Sequence, residues 1–315
     1  MKTKFDILVV GELNIDIILN GISSLPIVGT EILADNMNLT LGSSSAIFAS
    51  NISTLGSKTA FVGIIGNDSF GELVLQSLTN KNVFTDLIIT SNTEKTGATI
   101  VLNYGEDRAM VTYPGAMNEL SSADISDQVL KKAKHLHISS IFLQPKLKTS
   151  LKDIFIRAKS FGLTTSLDIQ WDPDEKWDID FKNILPLVDV FLPNGKELLA
   201  ITNKNNIDDA INSIKYTANA IVVKMGNNGA LVYYKGDVTK KASFLNKNVV
   251  DAIGAGDSFN AGFINSFVKN EDFSTCLING NLMGAINTTG IGGTGAFQNI
   301  STVKETALNT FNFKL

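Results

Sequence analysis

The sequence predicts an α/β protein, with one large domain of alternating strands and helices carrying a small all-β appendage. Three observations predict it. From about residue 130 onward, short apolar runs alternate with stretches of helical spacing. Residues 17–40 and 96–113 instead hold extended runs broken by turn residues, with no helix between them. And 315 residues, 44% hydrophobic and 18% charged, suffice for such a domain with a well-buried core.

Phe5 to Val10 is an apolar run, interrupted only by Asp6 and stopping at Gly11, the pattern of a buried parallel strand. Glu12, Asn14 and Asp16 then alternate with apolar residues, and a period of two puts them on one face of an extended segment. Carboxylates and amides pair well with vicinal hydroxyls, so this face reads as aimed at a polyol. Gly21, Pro26 and Gly29 mark turns before an alternating stretch from Glu31 to Leu39. Leu41 to Ala46 opens a helix that runs to Leu55 and closes on Gly56. Thr59 to Asp68 reads as strand, turn and helix start, and Gly71 to Asn80 continues that helix. Thr96 to Tyr113 is a hairpin around Gly105-Glu106-Asp107-Arg108, and with residues 13–40 it makes a four- or five-stranded sheet.

His135 to Ser139 reads as a strand with both histidines on one face. With no third ligand in view and no other histidine in the chain, they are assigned to a strand surface rather than a metal pair. Residues 149–161 form a helix capped by Gly162, and Thr164 to Asp168 a strand whose C-terminus places Asp168 at a ligand crevice. Leu187 to Leu192 is another strand, and Pro193-Asn194-Gly195-Lys196-Glu197 leads into a helix. Residues 220–230 are strand, tight turn and strand, with Gly226 and Gly229 in the turn. A hairpin over 230–250 precedes the most informative run, and a helix over 273–289 follows it.

That run is Asp251 to Phe263. Gly254, Ala255 and Gly256 stand before Phe259, Phe263 and Phe267, which recur every four residues on one helix face. The small residues therefore open a helix, whose first N–H groups lack internal partners and carry the positive end of the macrodipole. An anion can approach such bare amides closely. Asp257 lies in the first turn. It is either a helix-start carboxylate or a base beside an anion hole, placed to take a proton from a hydroxyl.

The run resembles the C-terminal signature D-T-x-G-A-G-D-x-F-x-A-G of the ribokinase-like (PfkB) family of carbohydrate and nucleoside kinases, with Ala252 where Thr is usual. The resemblance implies a three-layer α/β/α fold with a mostly parallel central sheet and a β-sheet lid. The α/β nucleotide-binding and catalytic domain then spans 1–12, 41–95 and 118–315, and the lid 13–40 and 96–117. It implies Asp257 as catalytic base, with the amides of Gly254, Ala255 and Gly256 as the anion hole. Asn14 and Asp16 match an Asn-x-Asp that binds the sugar. Gly42 matches the first glycine of a Gly-Gly-x-x-x-Asn segment, in which Ser43 replaces the second glycine and Ile47 the asparagine. Asp168 opens a D-x-N-x-R region whose arginine is absent here. The P-N-x-x-E match makes Asn194 and Glu197 organisers of water around Mg²⁺ and the phosphates. Lys224, Gly226 and Gly229 match a K-x-G-x-x-G-A loop near the nucleotide, and Asn281 a position beside the adenine. The Val62, Gly63, Gly66, Asp68 and Gly71 pattern is architectural.

The activity implied is an ATP- and Mg²⁺-dependent sugar kinase. The alternatives are a nucleoside kinase, with Phe48, Phe142 or Trp171 as an aromatic wall, or a silent sugar-binding member of the fold. A monovalent cation, K⁺, near Asp251 and a homodimer through the lid are further implications. Net charge is −4, pI is about 5.3 and there is no long basic run, which argues against a nucleic-acid partner. The single cysteine, Cys276, fits a reducing compartment. No signal-peptide core and no long apolar run are read, so a cytoplasmic protein is expected. Gly290 to Gly295 fits G-x-G-x-x-G but follows a helix, and a dinucleotide site is rejected on that context. No Walker A motif occurs.

Overall fold

The computed structural model describes residues 4–104 and 107–315; Met1 to Thr3, Gly105 and Glu106 lie outside the described residues, and with them the centre of the hairpin expected around Gly105 to Arg108. In chain order the first elements are β1 (Phe5–Val10), β2 (Asn14–Asn20), β3 (Asn36–Leu41), α1 (Ser44–Thr54), β4 (Thr59–Val62) and β5 (Ile64–Gly66). Next come α2 (Ser69–Asn80), β6 (Ile89–Ser91), β7 (Gly97–Tyr104), β8 (Asp107–Tyr113), α3 (Asp127–Leu130) and β9 (Ala133–Ser139). Then follow α4 (Pro145–Ser160), β10 (Thr164–Asp168), α5 (Phe181–Ile184), β11 (Val190–Phe191), α6 (Gly195–Thr202) and α7 (Ile207–Ile214). The chain ends with β12 (Ala220–Lys224), β13 (Ala230–Tyr234), β14 (Asp237–Lys241), α8 (Ala255–Phe267), α9 (Phe273–Asn287) and α10 (Ile300–Phe311).

The main sheet has eight strands in the order β14-β13-β12-β11-β10-β9-β1-β4. From β12 to β4 every neighbouring pair is parallel, and β13 and β14 add an antiparallel edge. Both faces are covered, as a parallel sheet requires. On β1, Leu8 and Val10 face a core built with Leu151 and Phe155 of α4. Ile7 and Val9 face the opposite core, with Phe48 of α1 and Phe263 of α8. This is the three-layer α/β/α arrangement expected.

A second sheet has four strands, β3-β2-β7-β8, with β2 and β7 parallel and the outer pairs antiparallel. Its strands fall within 13–40 and 96–117, except that β3 ends on Leu41. A two-stranded sheet, β5-β6, completes the set.

Four local differences have physical causes. The apolar run 187–192 forms only a two-residue strand, because Leu185-Pro186-Leu187 turns in a short 3-10 helix before it. His135 and His137 are not on a strand surface. Both are fully buried; Ser166 Oγ lies 2.7 Å from a ring nitrogen of each, and Phe48 stacks on His137 at 3.8 Å. Helix α10 was not foreseen, although Asn299 as its cap and the spacing of Val303 and Ala307 signal it. The Gly290–Gly295 loop packs against α1: a Cβ on Gly293 would lie 2.2 Å from Ile47 Cδ1. No helix among the described residues is long and apolar enough to cross a membrane.

Candidate active site

The parallel strands end along one edge, where β1 leads into Glu12, β10 ends on Asp168 and β12 on Lys224. Helix α8 begins over this edge. Among the described residues, eight of ten α-helices have a side chain accepting from a first-turn N–H: Ser43, Asp68, Ser126, Asp180, Asn194, Asn206, Asp272 and Asn299. Helix α8 has none. Its N-cap is Gly254 at φ +76°, and a Cβ there would sit 2.5 Å from Gly293 Cα. Glycine is thus needed both for the left-handed backbone and for the close approach. Ala255 N–H reaches Ala252 O at 3.4 Å, and no partner is seen for the Gly256 and Asp257 amides among the described residues, which leaves them for an anion.

Asp257 follows in that first turn and is buried. Its Oδ1 accepts from Ser44 Oγ at 2.5 Å and from Gln170 Nε2 at 3.0 Å. Burial, then the Asp168 carboxylate, push its pKa up to about 6. Asp168 is fully buried; its Oδ2 accepts from Lys224 Nζ at 2.6 Å, from Gln170 Nε2 at 3.1 Å and from Asn260 Nδ2. Burial pulls the Lys224 ammonium down, but Asp168 and Glu197 outweigh it and hold it above its ordinary value.

Two cavities meet at Asp257. One, of about 440 Å³, is lined by Asn194, Glu197, Lys224, Gly226, Gly229 and Asn281, and by Ala255 and Gly256 of the α8 start. The other, of about 730 Å³, is lined by the polar residues Glu12, Asn14, Asp16, Ser43 and Ser44 and also by Phe142, Trp171 and Met110. Asp257, Gly254, Gln170 and Arg108 line both.

In the first cavity, Asn194 and Glu197 form a capping box on α6. Glu197 Oε2 accepts from the Asn194 N–H at 2.8 Å, and Oε1 from Asn194 Nδ2 at 2.6 Å. Burial, then Asp168, raise the Glu197 carboxyl to about 7, a cost that a nearby cation would offset. Among the described residues no cluster of three or more His, Cys, Asp or Glu could hold a metal. This donor set fits Mg²⁺ held through water and phosphate oxygens rather than in an all-protein cage. Asn281 Nδ2 donates to Lys241 O and Ala242 O at 3.2 and 3.1 Å, which ties α9 to β14 at the cavity wall.

In the second cavity, Asn14 Nδ2 donates to Asp16 Oδ1 at 3.2 Å and Thr99 Oγ1 at 2.9 Å. Burial raises Asp16 to about 7 and Glu12 to about 8. Ser43 holds φ +69°, a backbone region that favours glycine; its Oγ donates to Glu12 O at 2.6 Å and caps α1. Gly42 does not line the cavity. It backs the polar pair: a Cβ there would lie 2.2 Å from Asp16 Oδ1 and 2.8 Å from Asn14 Nδ2.

Two other singled-out residues also stand off the cavity walls. Asp168 lies behind Gln170 and Lys224. Asp251 accepts from Ile253 N and Gly292 N, both at 2.9 Å, and pins the loop before α8. Phe48 is in the core. Sequence reasoning missed Ser44, Arg108, Gln170 and Asn260. Ser44, Gln170 and Asn260 stood inside recognised motifs, whereas Arg108 carried no local signal beyond its place in a turn.

An α/β/α sheet with a carboxylate at a bare helix N-terminus, shared by two cavities, defines a phosphotransferase with an alcohol acceptor. The pfkB family carbohydrate kinase profile matches residues 4–299, and the chain belongs to that family. It is 28% identical over 234 residues to an uncharacterized sugar kinase of Archaeoglobus fulgidus, covering 74% of this chain and 92% of the relative. It is 26% identical over 315 residues to the 5-dehydro-2-deoxygluconokinase of Lacticaseibacillus casei, covering 95% and 94%. A putative ribokinase II from E. coli, crystallised with ATP and Mg²⁺, superposes with a TM-score of 0.81 at 22% identity, covering 95% and 97%.

Proposed function

We propose that the protein transfers the γ-phosphoryl group of ATP to a hydroxyl of a carbohydrate, with Asp257 as general base. The observation that carries this is the position of Asp257 at the junction of the two cavities. In this reading the sugar lies against Asn14, Asp16 and Ser43, and the triphosphate runs from Lys224, Gly226 and Gly229 toward the α8 amides. The acceptor oxygen forms a bond to Pγ as the Pγ–O bond to ADP breaks. The electron pair leaves with ADP, and the hydroxyl proton goes to the Asp257 carboxylate. The Gly254–Gly256 segment holds negative charge on the transferring group. Asn194 and Glu197 orient water around Mg²⁺, which when bound neutralises phosphate charge.

Asn281 borders the adenine end, and Asp168 fixes Lys224. A K⁺ ion beside Asp251 also belongs to the proposal. It is tested by exchanging potassium for a bulky organic cation, and unchanged activity removes it. So do a homodimer through the four-stranded sheet, whose Met37, Met110, Val111 and Tyr113 are exposed, and work in a reducing cytosol.

One observation favours a second reading. The lining of the substrate-side cavity includes two aromatic side chains, Phe142 and Trp171, suited to a nucleobase. A coupled ADP-release assay with ribose, fructose, 2-dehydro-3-deoxygluconate and adenosine separates the two. Turnover with a sugar supports the kinase reading, and turnover with adenosine alone moves it to nucleosides. A flat response to all four favours a silent binding protein.

A further inference from the structure

Besides Asp257, one charged side chain faces both cavities. Arg108 lies on β8, the edge strand of the four-stranded sheet, opposite Asn103 on β7. The charges around it make its position consequential. Glu12, Asp16 and Asp257 line the substrate-side cavity, and Arg108 is the one cation among its described lining residues. On the nucleotide side, Glu197 and Asp257 are joined by Lys224. But the Lys224 ammonium is engaged by Asp168 Oδ2 at 2.6 Å and Asn260 Oδ1 at 3.3 Å. A triphosphate brought to this acidic junction adds like charge in a site where such repulsion is strong.

We infer that Arg108 is a further catalytic residue, whose guanidinium contacts the phosphoryl group passing between ATP and the acceptor hydroxyl. This rests on the kinase reading above. A guanidinium donates to two oxygens at once in a fixed fork, the geometry that non-bridging phosphoryl oxygens accept. Arg108 keeps its proton throughout: the acceptor proton still goes to Asp257, and the electron pair leaves with ADP. Its charge also acts on both carboxylates of the junction, lowering Asp257 and Asp16 against the burial that raises them. Asp257 comes from α8 and Arg108 from the smaller sheet, so the transferring group is held from two sides.

The test uses Arg108→Met and Arg108→Lys in the full chain, in the ADP-release assay with the panel compound that turns over. Arg108 is exposed, so thermal unfolding of both variants should match that of the unmodified protein. For Arg108→Met, kcat should fall about 10³-fold, the lower range for an arginine on a transferring phosphoryl group. KM for the acceptor should stay within about threefold, against the 1.4 kcal/mol that a tenfold change represents. Added guanidinium chloride, at concentrations that leave the protein folded, should restore part of the rate in saturable fashion in Arg108→Met but not in Asp257→Asn. Arg108→Lys should recover only part of the lost rate, because an ammonium lacks the fork. A kcat within threefold of the unmodified protein overturns the inference. So does a loss confined to KM of the acceptor, which reassigns Arg108 to an anionic group on the substrate. If the unmodified protein releases ADP with no panel compound, the kinase reading fails first and takes this inference with it.

Discussion

Replacing Asp257 by Asn removes the charge and keeps the shape, so it separates chemistry from architecture. The Asp257 carboxyl is raised from 3.8 to about 6 in the folded protein. Two units correspond to about 3 kcal/mol of differential interaction between the protonation states. The sign follows from proton linkage. A raised carboxyl binds its proton more tightly when folded, so its stabilising contribution is full below pH 4 and lost as pH rises through about 6. Asn carries no charge to bury. At pH 8 Asp257→Asn should therefore be more stable by up to about 3 kcal/mol, less whatever is lost where its NH₂ faces Gln170 Nε2. Turnover should fall at least ~100-fold, the lower range for a general base, with ATP affinity retained. For the unmodified protein, kcat/KM should decline with unit slope below about pH 6, as the base protonates. Denaturant unfolding at pH 5 and pH 8, ADP release and ATP titration read these out. Near-normal kcat in Asp257→Asn would refute the base assignment. A pH profile flat from 5 to 8 would refute the burial argument.

Three further outcomes are expected. Lys224→Met leaves Asp168 buried without its ionic partner and should destabilise by about 3–5 kcal/mol, read as a lower denaturant midpoint. Gly254→Ala forces a Cβ to 2.5 Å from Gly293 Cα at φ +76°. It should lose most turnover and about 1–3 kcal/mol of stability, and full activity would disprove the need for this backbone. Thermal stability is not expected to be greatest at neutral pH. It should fall as pH rises from about 4 to 8, because the raised carboxyls of Asp257 at about 6, Asp16 and Glu197 at about 7 and Glu12 at about 8 lose their contribution across that interval, while His135, held near 3, opposes this only below 6.5. A melting temperature rising steadily to pH 9 would contradict this.

Period and punctuation made most of the fold legible. Apolar runs bounded by glycine gave β1, β4, β10 and β12, and the helix-free stretches gave the second sheet. Signals competed elsewhere. The missing third ligand assigns both histidines to a strand surface, yet Thr164 and Ser166 supply hydroxyls for both nitrogens of His135 and for Nδ1 of His137 inside the core, leaving His137 Nε2 without a partner among the described residues. Those partners lie about thirty residues away, so no local pattern reveals them. At the site, local spacing pointed to the α8 amides, and the resemblance supplied the Asn194–Glu197 pair and Gly42. Both missed Ser44 and Arg108, whose roles arise only when α1 and β8 are brought beside α8.

Gln170 shows how a departure from the family pattern reshapes the junction. The D-x-N-x-R region has Asn where this chain has Gln170, at φ +58°. Its longer side chain carries one amide nitrogen to Ser44 Oγ at 2.9 Å, Asp257 Oδ1 at 3.0 Å and Asp168 Oδ2 at 3.1 Å. An Asn, one methylene shorter, could not bridge the same three oxygens from this backbone. Two N–H bonds shared among three acceptors keep Asp168 and Asp257 joined by a donor rather than facing each other as bare anions. The Ser44 and Gln170 bonds to Asp257 both fall on Oδ1. Among the described residues no side chain donates to Oδ2. In the proposed mechanism that oxygen would take the acceptor proton, and the bridge would orient the base by holding the other.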